Sequence, residues 1–193
     1  MARSKTAEKI IQAAIELIKE RGYKAATTKE IAMRAGVNEV TIFRNFKNKK
    51  GIIEAAVYDF SYVPHLKQFL QTEIVWDLET DLKNLARHYH QFLNEVKDII
   101  AIGIRETGEF PELDDEIAKI PKGLKEELMI YFEKMQQKGK IIDTNIEAQV
   151  MNFIWINFGY FLSKLRFENR FIENNDENFI EHNIVLYARA LRP

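Results

Sequence analysis

Val40 and Arg44 stand four residues apart in the stretch G-V-N-E-V-T-I-F-R-N-F-K-N-K-K-G, Gly36 to Gly51. On a helix that spacing puts both on one side, while Ile42 and Phe46, spaced alike, share the opposite one. The second pair is apolar and predicts a core contact. The first pair faces outward, flanked by Thr41, Phe43 and Asn45, with Asn38 and Glu39 at the helix start. These residue types suit the edges of base pairs in a major groove. Val40 or Thr41 offers a methyl contact, Arg44 a fork of donors, and Glu39 an acceptor for a cytosine amino group. Just upstream, Thr27, Thr28 and Lys29 open another helix, whose free N–H groups suit a backbone phosphate. Lys49 and Lys50 fall in the first turn of a further helix, where the macrodipole disfavours cations. Phosphates would offset that repulsion, so duplex DNA is the anion these residues imply.

The elements that must position them follow from helical periodicity, which runs through almost the whole chain with little strand signal. Ala7, Ile10, Ile11, Ala14, Leu17 and Ile18 form one apolar stripe, predicting a helix over about 4–21 that stops at Gly22. T-T-K-E at 27–30 is a capping box, so a second helix starts at Thr28 and ends at Gly36. Asn38 is a good N-cap for a third, running to about Phe46. Two short helices joined by a tight glycine turn behind a first one spell helix-turn-helix. A fourth helix begins at Asn48, with Ile52, Ile53, Ala56, Val57 and Phe60 on one side, and Pro64 kinks or ends it. Beyond it, helices are expected over about 77–96, up to 107, 114–138, 145–167 and 176–191, with a loop at 108–113. The chain therefore reads as all-α. Residues 1–50 form a three-helix DNA-binding domain, and 51–193 a larger helical bundle for ligand sensing and dimerisation.

Charge and composition agree with that division. The net charge of −1 conceals +7 over residues 1–51 and −8 over the remainder, so the basic part is where a polyanion would sit. There is no cysteine, hence no disulfide and no thiolate metal site. The start M-A-R-S-K lacks the apolar core of a secretory signal, and Val150 to Leu162 is too short and too interrupted to span a membrane. A cytoplasmic protein fits. His88 and His90 diverge on their helix and no Glu-x-x-His occurs, so no metal, cofactor or catalytic set is expected.

The ordered combination A-A-I-E-L-I-K-E-R-G-Y at 13–23, T-T-K-E-I-A at 27–32, A-G-V-N at 35–38 and T-I-F-R-N-F-K-N-K-K at 41–50 resembles the TetR family of bacterial transcriptional regulators. The resemblance is dense over about the first 55 residues and elsewhere extends only to the helical layout. It implies that Lys49 contacts a phosphate. Where the family commonly has a tyrosine, Phe43 stands, without the hydroxyl that would meet a phosphate. Glu39 and Val40 replace the small or basic residues often found there, so the base preference is this chain's own. The resemblance also implies an effector pocket within the second domain.

Large rings such as Phe69, Trp76, Phe110, Phe153 and Phe161 beyond the DNA-binding part are hard to interdigitate without leaving space, and Tyr89, Phe92, Phe132, Trp155 and Phe158 are the expected pocket walls. His90, Arg105 or Asn152 would be the polar handle. The segment M-N-F-I-W-I-N-F-G-Y-F-L at 151–162 is apolar nearly all round and must bury more than one face. A two-fold dimer through the last two helices answers that demand, with Phe153, Ile156, Tyr160, Ile184, Tyr187 and Leu191 as its expected contributors. These features predict a one-component regulator, a repressor, that binds palindromic operator DNA as a homodimer and is released by a small, largely apolar effector. The alternative is a DNA-bound adaptor whose acidic bundle recruits a protein and senses no ligand.

Overall fold

The computed structural model describes residues 3–59, 61–167, 170 and 175–193, so the expectation for Phe60 lies outside the described residues. Every regular element among them is helical. In chain order these are α1 (Lys5–Arg21), α2 (Thr28–Ala35), α3 (Glu39–Phe46), α4 (Lys49–Asp59), α5 (Val63–Thr72), α6 (Leu78–Glu95), α7 (Lys97–Arg105), α8 (Pro111–Gln137) and α9 (Ile146–Phe167). A last helical stretch joins α10 (Asp176–Phe179), a π turn over Ile180–Ile184 and α11 (Val185–Ala190). Two compact units result: Met1–Ser61 with Val96–Ile120, and Tyr62–Glu95 with Pro121–Pro193. The first is larger than the 1–50 segment expected from sequence, because it takes in α4, α7 and the start of α8.

In the first unit the local signals act as chemistry requires. Ser4 accepts the Ala7 N–H at 3.2 Å to start α1, and Gly22, at φ 88°, gives its N–H to the Ile18 carbonyl to stop it. The buried face of α1 (Ile10, Ile11, Ala14, Leu17 and Ile18) packs in one core with Ile31 of α2, Ile42 and Phe46 of α3 and Ile52 of α4. Ile10, Ile18, Ile31, Ile42 and Ile52 are wholly buried. Each contributes about 1.5–3 kcal/mol of hydrophobic stabilisation. That core fixes which side of α3 is buried and which is turned outward.

The second unit is built on Leu66 and Phe69 of α5, Leu82 and Leu85 of α6, Leu128, Phe132 and Met135 of α8, and Phe153 of α9. One polar pin sits within it. Asp81 is fully buried and accepts from the Tyr131 hydroxyl at 2.9 Å and the Val75 N–H at 3.0 Å. Tyr131→Phe removes one of those donors from a buried carboxylate and should cost about 1–3 kcal/mol, read as a lower urea midpoint with an unchanged m-value. Burial raises the Asp81 carboxyl above its ordinary 3.8. Its contribution to stability is therefore fully present below the unfolded-state value and is lost as pH rises through the folded one. Asp81→Asn should flatten that part of the stability profile relative to wild type.

Two boundaries differ from the sequence reading. Pro64 does not kink a long helix but lies in the first turn of α5, where its missing N–H is no loss. The loop expected over 108–113 is shorter, since Pro111 starts α8 in the same way. Pro121 then lies inside α8, beside the boundary between the two units.

Candidate nucleic-acid interface

The capping box closes in full. Thr27 Oγ1 accepts the Glu30 N–H at 3.2 Å and donates to Glu30 Oε2 at 2.9 Å, while Glu30 Oε2 takes the Thr27 N–H at 3.1 Å. These bonds hold the Glu30 carboxyl below the usual carboxylate range, Arg21 adding to the effect. The cap leaves the N–H groups of Thr28 and Lys29 in the same open first turn, beside the exposed Lys29 side chain. Gly36, left-handed at φ 67°, stops α2 and donates to the Ala32 and Met33 carbonyls. Two residues later Asn38 Oδ1 accepts the Val40 N–H at 2.9 Å and starts α3.

α3 buries Ile42 and Phe46 and turns the other side outward. Val40 is 70% exposed and Phe43 49%, with Arg44 and Asn45 exposed beside them and Thr41 partly so. The Asn45 amide donates to the Thr41 carbonyl at 2.7 Å. Thr28 is already engaged, for its hydroxyl donates to Glu39 Oε1 at 2.7 Å and ties the start of α2 to that of α3. Lys49 is also engaged. Its ammonium donates to the Tyr23 carbonyl at 2.6 Å and sits 4.1 Å from the centre of the Tyr23 ring. Here a carbonyl and a ring face, rather than an anion alone, make a cation at this helix start tolerable. Lys50 lies 3.8 Å from Glu54 one turn on. Asn48 Oδ1 accepts the Gly51 N–H at 2.8 Å and caps α4.

Among the described residues, those expected to line an effector pocket do not share one environment. Tyr89 and Phe92 are buried, with ring centres 5.5 and 4.8 Å from that of Tyr62. Phe132 is fully buried in the core of the second unit, and Phe158 is half-buried against Phe161. Trp155, however, is 62% exposed and Asn152 is exposed too, so α9 turns both outward. Arg105 is not a ligand handle of the bundle at all. It belongs to the first unit, where its guanidinium donates to the Ile18 carbonyl at 2.5 Å and the Lys19 carbonyl at 2.8 Å, closing the negative end of α1. His90 is buried against the stacked rings of Tyr160 and Phe179, and burial lowers its pKa.

The expected dimer residues need the same correction. Phe153, Tyr160, Ile184 and Leu191 are buried within the chain, while Ile156 and Tyr187 are only half-exposed. Tyr187 also gives its hydroxyl to the Gln149 carbonyl at 2.6 Å. The large apolar groups that α9 and α11 leave most exposed are Trp155 and Leu186, the latter 66% exposed, with Phe167 at the end of α9 exposed as well. A helix apolar on every side gives no periodicity from which to choose its inner face. Sequence reasoning also missed the Thr28–Glu39 and Arg105–α1 contacts. Their partners lie 11 and 86–87 residues apart, and no local pattern announces them.

A glycine turn between two capped short helices, with the second presenting methyl, aromatic and guanidinium groups from a basic segment, defines a helix-turn-helix nucleic-acid binder. The family model "Bacterial regulatory proteins, tetR family" matches residues 10–56. The uncharacterized HTH-type transcriptional regulator YvkB of Bacillus subtilis (strain 168) is 36% identical over 187 residues, covering 96% of this chain and 97% of that protein. A TetR-family regulator from Syntrophomonas wolfei superposes with a TM-score of 0.78 at 16% identity, covering 96% of this chain and 93% of that one. The flavonoid-responsive regulator FrrA gives 0.73 at 20% identity and 97% coverage of both chains. The chain belongs to the TetR family of bacterial transcriptional regulators. No helix among the described residues is long and apolar enough to cross a membrane.

Proposed function

We propose that the protein is a cytoplasmic, one-component repressor. It binds a palindromic operator as a homodimer and leaves it when a small, largely apolar effector binds. The observation that carries this reading is the outward side of α3, where Val40, Thr41, Phe43 and Arg44 project from a helix whose other side is locked into the core. A lone eight-residue helix reads few base pairs, and two copies related by a two-fold axis double the contact. Selection of bound sequences from a random duplex pool tests the reading. An inverted repeat with half-sites about one helical turn apart is the expected product.

Trp155 and Leu186 support a dimer seam along α9 and α11, since large apolar groups left in water mark interaction surfaces. Trp155→Glu should shift the protein to a monomer at micromolar concentration in sedimentation velocity and cost DNA affinity in step. A dimer that persists at full strength would move the seam elsewhere.

For the effector, the wall kept from the sequence reading is Phe92, now with Tyr62, against which Tyr89 packs. A cleft of about 150 Å³ opens beside Tyr62 and Phe92, edged by His65, His88, Gln91 and Glu95. Ligand sites usually occupy about 300–1,000 Å³, so an effector entering here has to widen the cleft, and widening displaces α5 against α6. Only a compound with different affinities for the free and displaced geometries would release DNA. In a thermal-shift screen of aromatic and apolar compounds, a hit should raise the midpoint and weaken operator binding. Operator DNA should weaken the hit by the same factor. Hits that stabilise without touching DNA binding would favour the adaptor reading.

A further inference from the structure

The geometry points to Glu39, held by Thr28, as a selector for cytosine at one position of each operator half-site. This inference rests on the DNA-binding reading above and adds to it a named base.

Glu39 is an acidic residue in the most basic part of the chain and at the first position of the helix that faces outward. Phosphates would repel it, and nothing in the capping of α3 requires it, because Asn38 already supplies the cap. Its carboxylate is nevertheless fixed. Thr28 spends its hydroxyl on Glu39 Oε1 at 2.7 Å instead of leaving it for a phosphate. The bond crosses from α2 to α3 and the side chain is half-buried, so the carboxylate cannot swing freely away from the α3 start.

A carboxylate accepts hydrogen bonds and gives none. With Oε1 engaged, the second oxygen needs a donor once DNA displaces its water. Major-groove edges provide one only on cytosine and adenine. Adenine sets its N7 acceptor beside its amino group, where the fixed carboxylate meets a lone pair. Guanine presents two acceptors, and thymine an acceptor and a methyl group. Cytosine alone offers a donor with no acceptor on the same base. A wrong base leaves a desolvated carboxylate short of a partner, so selection comes from penalty as well as attraction. The preference should be about five-fold to a hundred-fold over the other bases.

The test compares base preferences, which a purely structural tie would not move. Wild-type protein, Glu39→Ala, Glu39→Gln, Thr28→Val and Thr28→Ser are each run through selection from the same random duplex pool, with thermal midpoints recorded. Wild type should enrich cytosine in one column of each half-site. Glu39→Ala and Glu39→Gln should flatten or change that column while the other columns are still selected. Thr28→Val should weaken the same column, because the carboxylate loses its anchor, and Thr28→Ser should restore it. If the Glu39 variants keep the cytosine column, or lose only thermal stability, the inference is overturned and Glu39 is a structural tie between α2 and α3. If wild type selects adenine, guanine or thymine in the affected column, the inference is overturned as well. If wild type binds no duplex DNA, the DNA-binding reading itself fails and takes this one with it.

Discussion

Gly51→Ala should lower stability by about 3 kcal/mol or more and remove DNA binding with it. A Cβ at this position would stand 1.9 Å from the carbonyl oxygen of Phe46. That oxygen is backbone, so no side chain can turn aside. Either the end of α3 or the start of α4 has to move, and both belong to the core that aims the outward side of α3. For a chain of this size the loss amounts to roughly 6–12 °C in thermal midpoint. Gly36→Ala is the informative contrast. Nothing lies within 4 Å of a Cβ there, and the only objection is the left-handed φ of 67°. Its cost should be about 1–2 kcal/mol. Circular dichroism melts of the two variants, with DNA affinity measured alongside, check the ranking. Equal and small losses would mean that α3 and α4 tolerate being pushed apart.

Arg44→Ala and Lys49→Ala should weaken DNA binding in distinguishable ways. Arg44 is exposed on the outward side of α3 with no ion pair among the described residues, so its fork of donors is available to a base edge. Its removal should cost about 1–3 kcal/mol of affinity for the preferred sequence and relax selection at one position. Lys49 should weaken all sequences alike and flatten the slope of log affinity against log salt by about one unit. Because its ammonium also holds the Tyr23 carbonyl and covers the Tyr23 ring, Lys49→Ala should lower the thermal midpoint too. Arg44→Ala should not. Binding curves over a salt series, for a preferred and a scrambled duplex, separate the two roles.

Much of the DNA-binding part is legible in sequence because its signals are local. A capping box spans four residues, an N-cap acts on the turn that follows it, and the Ile42–Phe46 pair declares the inner side of α3 by spacing alone. Thr27, Asn38, Asn48 and Asp77 all cap the helices their positions suggest. What sequence could not supply are contacts between distant segments. Thr28 reads as a phosphate ligand until Glu39 is seen beside it, and Lys49 as a bare cation until Tyr23 is. Arg105, a plausible handle in a bundle, turns out to finish α1, because α7 packs with the first unit. In the second unit the difficulty is different. α9 is so evenly apolar that exchanging inner for outer residues leaves its pattern unchanged, so spacing does not tell that Trp155 faces outward and Phe153 is buried. Gly51, read from sequence only as the glycine after two lysines, has its role fixed by a single backbone oxygen.

The central claim, that paired copies of α3 read a two-fold operator, is tested most directly by the stoichiometry and sequence dependence of binding to a duplex carrying the selected inverted repeat. Titration monitored by sedimentation should show two chains on one duplex. Scrambling one half-site should cost most of the affinity, and Arg44→Ala should narrow the gap between selected and scrambled duplexes. A single chain bound to one half-site at full affinity, or equal binding to selected and scrambled duplexes at physiological salt, would contradict the account.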